Sequence, residues 1–205
     1  MATLAGEKLR ETRVSLRGMT QLQTARMRLE PCCEAHFEGL HAMNRLPEVM
    51  RFIGGGGPET PEGTRAMIER VQARWADWGY SWWSFLAQDT GQVLGAGAIQ
   101  HLRPEAGPVT DFDALRSQPL EIGWRLHPDF WGQGLASEGA RAALDWGFGS
   151  GGLAEIIAFT AQTNLASQAV MRRIGMTPDP SRDFDHPRLA QDHPLRRHVV
   201  WLARP

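Results

Sequence analysis

The stretch WGQGLASEG, Trp131 to Gly139, has the residue types and spacing of a ligand cradle. It leaves the C-terminal end of a strand-like run and enters a helix of small residues. At such a junction unpaired backbone N–H groups and the positive end of the helix dipole favour an anion. Gly132 and Gly134 let a ligand approach the main chain without interference from a Cβ, while Ala136 and Ser137 keep the entrance small. A pyrophosphate held this way gains roughly 1.5–3 kcal/mol per charge-assisted hydrogen bond and needs no lysine. A Walker A loop is excluded, because Lys8 is the only lysine of the chain. The dinucleotide fingerprint is excluded too, since Ser137 stands where its third glycine belongs and Gly139 comes too late. On the loop alone, a tight strand-to-helix turn explains the glycines equally well.

Two other segments carry titratable groups. In EIGWRL, alternation puts Glu121, Gly123 and Arg125 on one face of a strand and Ile122, Trp124 and Leu126 on the other. Glu121 there either moves a proton or forms an ion pair, Arg125 being a near partner. The segment DFDHPRLAQDHPLRRH holds His186, His193 and His198, whose gaps match no zinc pattern, so no metal is expected. Asp185 and His186 suit either loop chemistry beside a rigid proline or a lid over a reacting group.

The elements that must position these groups follow from periodicity. RMRLE reads as a strand, CCEAHFEGLHAMNRL as a helix stopped by Pro47, and Pro61 to Trp78 as a helix striped by Met67, Ile68, Val71 and Trp75. SWWSFLAQ and QVLGAGAIQ flank an Asp-Thr-Gly turn and predict a hairpin. LEIGWRLH is the next strand, then a helix to about Phe148, the strand AEIIAFT, the helix NLASQAVMRRIGM with Asn164 as its cap, and the strand RRHVVWLA. A strand-helix-strand connection implies a parallel pair with a right-handed crossover. The expected fold class is α/β, a single domain with a mixed sheet and helices on both faces, spanning residues 21–205 behind a mobile N-terminal arm, 1–20.

Composition bounds the function. At 205 residues, 42% hydrophobic and 22% charged, the chain suits one soluble domain. A formal net charge of −1 gives no field for nucleic acid, so an anionic ligand must be held locally. Cys32 and Cys33, adjacent, form no disulfide framework, and the charged first twenty residues are no signal peptide, so a cytoplasmic location is expected. No apolar run approaches the length of a membrane span.

WGQGLA resembles the R/Q-x-x-G-x-G/A loop of the GNAT superfamily of acyl-CoA-dependent N-acyltransferases, with Trp131 where arginine or glutamine is usual. NLASQAVMRRIGM is similar to the helix that follows the family's last central strand. TARMRLEP, EVMRFIGGG, EIGWRLHPDFWGQGLASEGARAAL and DFDHP…HPLRRHV resemble the branch containing ribosomal-protein N-terminal acetyltransferases, in order from about Thr20 to the C-terminus. The resemblance implies a twisted mixed sheet whose two central parallel strands splay, with CoA in the crevice. It implies that Leu126 pairs with the pantetheine amides, that Trp131, Gly132, Gln133, Gly134, Leu135, Ala136 and Ser137 hold the pyrophosphate, and that Asn164 and Ser167 lie beside the thioester arm. Arg172 and Arg173 suit either the 3′-phosphate or their own helix dipole.

Acetyl transfer from a thioester to an amine needs a base to neutralise the amine, a donor for the departing sulfur, and a donor for the carbonyl oxygen. Many family members use a tyrosine as the acid; Met171 occupies that slot here, and the one tyrosine, Tyr80, lies elsewhere. In the resembled branch a serine one turn earlier is the implied donor, matching Ser167. Glu121 is the preferred base, with Asp185 or His186 as substitutes. The expected protein is an acetyl-CoA-dependent N-acetyltransferase acting by direct transfer on a protein N-terminus or a small-molecule amine. A CoA-binding module without catalysis is the alternative, favoured by Met171. Neither the acceptor nor the oligomeric state is legible. The Trp75–Trp83 cluster reads as core rather than substrate box, and the Gly54–Gly57 run as a hinge at the acceptor entrance or a plain surface loop.

Overall fold

The computed structural model describes residues 20–53, 56–102 and 116–205. The expected arm, all but Thr20, and most of the loop after His101 lie outside the described residues. The chain runs β1 (Leu22–Gln23), β2 (Met27–Pro31), α1 (Phe37–Asn44), α2 (Pro47–Met50), α3 (Pro61–Trp78), β3 (Trp82–Ala87), β4 (Val93–His101) and β5 (Leu120–Leu126). It continues α4 (Leu135–Phe148), β6 (Ile156–Ala161), α5 (Leu165–Arg173), β7 (Thr177–Pro178), β8 (Phe184–Asp185) and β9 (Arg197–Ala203). Each strand and helix of three or more residues that the sequence patterns predict is present. Pro47 departs from expectation: α1 has already ended at Asn44, and the proline stands at the start of α2, where its missing N–H costs nothing.

Local signals set the long helix. The Thr60 side chain accepts from the Gly63 N–H at 3.0 Å, Pro61 fixes the first turn, and Gly79 at φ 78° ends the helix. Ile68, Val71, Trp75 and Trp78 form its buried stripe.

All nine strands join one sheet, ordered β1-β2-β3-β4-β5-β6-β9-β7, with β8 also on β9. Pairing is antiparallel except between β5 and β6. Ile99 and Gln100 of β4 point to opposite faces, and each meets a helix. Arg74 of α3 donates to the Gln100 side chain at 2.7 Å, and a Cβ on Gly147 of α4 would lie 3.1 Å from Ile99 Cδ1. Helices therefore cover both faces around one continuous apolar core.

On the α4 face, packing depends on two missing side chains. The Phe85 ring sits between Gly97 of β4 and Gly139 of α4, where an added Cβ would come within 2.5 Å and 2.6 Å of its Cζ. Trp83 stands edge-on to both Trp75 and Trp146, at 5.1 and 5.5 Å. Gly139→Ala sets a helix-propensity gain of about 1 kcal/mol against overpacking of about 1–3 kcal/mol. At 2.6 Å from a rigid ring the clash dominates. Urea denaturation should show net destabilisation of about 1–2 kcal/mol, with Phe85→Leu in the same chain restoring part of it.

Candidate functional site

The parallel pair β5–β6 is joined at a single register position, Glu121 opposite Ile157. Beyond it β5 stays paired to β4 through Leu126, and β6 to β9 through Ala161, so the two half-sheets part. Between them lies a crevice of about 2380 Å³. That exceeds the roughly 300–1,000 Å³ of a small-ligand pocket and suits a long ligand plus a second reactant. His127 N–H bonds to Leu94 on β4, so strand alternation turns the peptide groups of Leu126 toward the open side.

The glycine loop closes one end of the crevice. Gly132 and Gly134 adopt φ 73° and 79°, which only glycine takes without strain, and Gly134 caps α4 with no side chain to fill the first-turn amides. Three side chains hold the main chain about the loop. Trp131 Nε1 donates to Leu126 O at 2.8 Å, Gln133 Nε2 to Asp129 O at 3.0 Å, and Arg26 to Gln133 O at 2.9 Å. Arg26 also grips Glu138 on α4 through its backbone N–H and its guanidinium, the ion pair measuring 2.6 Å. Trp131 thus ties the strand end to the loop by occupying the Leu126 carbonyl.

The opposite wall is the head of α5. Asn164 Oδ1 accepts from the Ser167 N–H at 3.3 Å, and Asn164 Nδ2 donates to Thr160 Oγ1 at 2.9 Å. Asn164, Ser167 and the buried Met171 all line the crevice. Arg172 does not: its guanidinium lies over the Trp201 ring at 5.7 Å, and Arg173 takes the crevice side instead. One helical step of about 100° separates the two arginines, and the packing of α5 on β9 decides which faces the ligand.

Glu121 stands where the strands part. Gln100 Nε2 donates to its Oε1 at 2.6 Å, while Gln100 Oε1 accepts from buried Arg74 at 2.7 Å and from Trp82 Nε1 at 3.0 Å. Two donors on one end of the amide fix which end faces Glu121. The proposed pairing of Glu121 with Arg125 is not formed, for Arg125 instead overlies the Trp82 ring at 4.6 Å. Asp185 does not line the crevice; its carboxylate sits 3.4 Å from Arg196 and 3.6 Å from Arg197, its partner across the β8–β9 pair. His186 does line it, its Nδ1 accepting from Arg188 N–H at 3.3 Å, with its ring 5.1 Å from that of His198. Burial lowers the pKa of His198. Among the described residues no three His, Cys, Asp or Glu side chains gather as a metal ion requires. No described helix is long and apolar enough to cross a membrane.

Comparison with known proteins gives the architecture its place. The model of the acetyltransferase (GNAT) domain matches residues 26–177. The chain belongs to the GNAT acetyltransferase family. It is 32% identical over 165 residues to FsC-acetyl coenzyme A-N(2)-transacetylase of Aspergillus fumigatus, covering 80% of this chain and 68% of that one. Among solved structures, a GNAT acetyltransferase from Bacillus anthracis superposes with TM-score 0.71 at 22% identity, covering 90% of this chain and 98% of that one. The ribosomal L7/L12 α-N-protein acetyltransferase RimL in complex with coenzyme A superposes with TM-score 0.72 at 16% identity, with the same coverage. At those identities the two structures speak to fold.

As a GNAT enzyme the chain transfers acetyl from acetyl-CoA to an amine, and its crevice fits that co-substrate. Ser137 Oγ, in the first turn of α4, is buried with no partner, an orphan that a phosphate oxygen would satisfy. A Cβ on Gly132 would meet only open space.

The sequence missed Arg26, Arg74, Gln100 and Trp82, because each acts across a long separation in the chain. Glu138 supplies the pH test. Desolvation raises its pKa, but hydrogen bonds from Thr24 and Arg26 and the charge of Arg26 outweigh that, leaving it below the ordinary 4.5. Its stabilisation is complete above that value and fades as pH falls through the lowered folded value. Glu138→Gln should weaken CoA binding two- to tenfold at pH 7 by calorimetry and flatten the loss of affinity expected of the wild type below about pH 4.5.

Proposed function

We propose that Glu121 is the base and Ser167 the sulfur-side donor of a direct acetyl transfer, with Leu126, Trp131 to Ser137 and Asn164 holding the coenzyme. The observation that carries this reading is the parting of β5 and β6. It leaves an anion cradle at one end and places Glu121 and Ser167 on opposite walls of the same opening. Acetyl-CoA, when bound, supplies the activated thioester. Glu121, held by Gln100, takes the proton that the acceptor ammonium must lose, directly or through one water. Ser167, oriented by Asn164 at the start of α5, hydrogen-bonds the sulfur as the carbon–sulfur bond breaks. Met171 is packed in the wall and contributes shape. His186 keeps the base role only as a substitute for Glu121, and Asp185 is set aside by its two arginine partners.

The acceptor is a primary amine, on a small molecule or a protein N-terminus. It enters past α2 and the following glycine segment, since Glu48, Arg51, Gly56 and Gly57 line that end of the crevice. The alternative of a coenzyme-binding module without catalysis has no support beyond Met171.

A thiol-release screen with acetyl-CoA against peptides, amino acids, aminoglycosides and polyamines tests the reading, and silence across all four classes would end it. With an accepted amine, Ser167→Ala should lower turnover at least tenfold, within the roughly 10²–10⁴ range of positioned proton donors. Glu121→Gln should change the acidic limb of the pH–rate profile. A limb of unaltered shape and position would remove Glu121 from the mechanism.

A further inference from the structure

Arg125 is the side chain of the crevice that nothing so far explains. It follows Glu121 and Gly123 along one face of β5, and all three line the opening. Its Nε is buried without a partner, and among the described residues its guanidinium makes no hydrogen bond and no ion pair. The neighbouring groups do not neutralise it. The Cys32 thiol, pushed up to about 12 by burial, stays uncharged, and Glu59 acts on Arg125 only through space. Desolvation works against the charge, and stacking on the Trp82 ring offers no hydrogen-bond acceptor to any of its N–H groups. A half-buried guanidinium whose Nε is closed off in this way is stabilised when an anion arrives to complete it.

The space for that anion is present. A Cβ on Gly123, between Glu121 and Arg125, would meet nothing within 4 Å. With Nε buried, a ligand meets the two Nη groups, which can offer a planar carboxylate two parallel hydrogen bonds. Residues 121 and 125 are four strand positions apart, about 13 Å between Cα atoms, with Trp82 and Gln100 holding the two side chains separate.

We propose that Arg125 anchors a carboxylate on the acceptor, and that the acceptor is an amine whose carboxylate lies several bonds from the reacting nitrogen, the chain between them passing over Gly123. This rests on the reading of Glu121 as the residue beside the reacting amine. It makes the acceptor an ω-amino acid or a molecule presenting that arrangement, and disfavours polyamines, whose second charge is of the wrong sign.

The test uses the full chain, acetyl-CoA and matched pairs of acceptors: ω-aminocarboxylates of three to eight carbons, each against the alkylamine of equal length. Thiol release should favour the carboxylate at least tenfold in kcat/KM for at least one length, mainly through KM. A site built to bond a charged group rejects the analogue lacking it. Arg125→Gln should collapse that ratio to within about twofold, and Arg125→Lys, which keeps the charge and loses the fork, should retain part of it. Ratios within twofold at every length in the wild type, or a preference that survives Arg125→Gln, overturn the anchor. Melting curves separate loss of fold from loss of recognition, and if Arg125→Gln does not fold, the wild-type ratios and Arg125→Lys decide. Transfer to alkylamines without carboxylate preference sinks the anchor and spares the acetyl transfer. If no amine releases thiol, calorimetry of the CoA-bound protein with 6-aminohexanoate and hexylamine still judges Arg125, and equal binding of the two overturns it.

Discussion

The site depends on one constraint: β5 and β6 are allowed a single paired position. Each strand is committed elsewhere, β5 to β4 along its full length and β6 to β9 likewise. Sheet twist rotates adjacent strands by roughly 20–25°, so once their shared pairing stops after Glu121 and Ile157 nothing draws the half-sheets together. A closed parallel pair would satisfy more backbone groups and would leave no place for a thioester. The open edge of β5 is therefore a cost in hydrogen bonding that a ligand offsets. The same divergence puts Glu121 at the vertex and the glycine loop at the strand ends, where ligands of open α/β sheets characteristically lie.

Around that vertex the polar groups are fixed before any substrate arrives. Gln100 cannot flip, because Arg74 and Trp82 both donate to its oxygen, and so its amide must donate to Glu121. Glu121 consequently faces the opening as an acceptor, which is the state a base requires. The glycine loop is treated the same way, with Trp131, Gln133 and Arg26 each bonded to main-chain carbonyls in or beside it. Preorganised donors cost no reorganisation at the moment of reaction. Trp131, where the resembled loop pattern carries a cation or amide, spends its indole N–H on the Leu126 carbonyl, which accords with the proposal that main-chain amides hold the ligand.

The parts legible in the sequence are those written locally. Period-two alternation in EIGWRL placed Glu121, Gly123 and Arg125 on one face, and the glycines, the Asn164 cap and the helical stripes set the loop and the helices about it. What was not legible depends on distant residues or on phase. Arg26 and Glu138 are 112 positions apart, and no periodicity connects them. Arg172 and Arg173 are adjacent, and only the docking of α5 beside Trp201 tells them apart. Asp185 reads as a candidate base until a two-residue strand, too short to show any pattern, brings it beside Arg197. The pair Glu121 and Arg125 is the instructive case, since the sequence placed them on one face and suggested they bind each other.

That they do not bind each other underlies the proposed recognition of the acceptor. Two opposite charges on one strand face, four residues apart, would neutralise one another if the residues between and beside them were flexible and polar. Here Gly123 offers no side chain to bridge them, Gln100 occupies the carboxylate, and the Trp82 ring occupies the guanidinium. Arg125 is left with no hydrogen-bond partner for its Nε, and in the proposed reading its spacing from Glu121 along the strand sets the length of acceptor that fits. In the proposed reading the glycine loop holds the coenzyme at one end of the crevice, Glu121 and Ser167 carry the transfer, and Arg125 selects the acceptor.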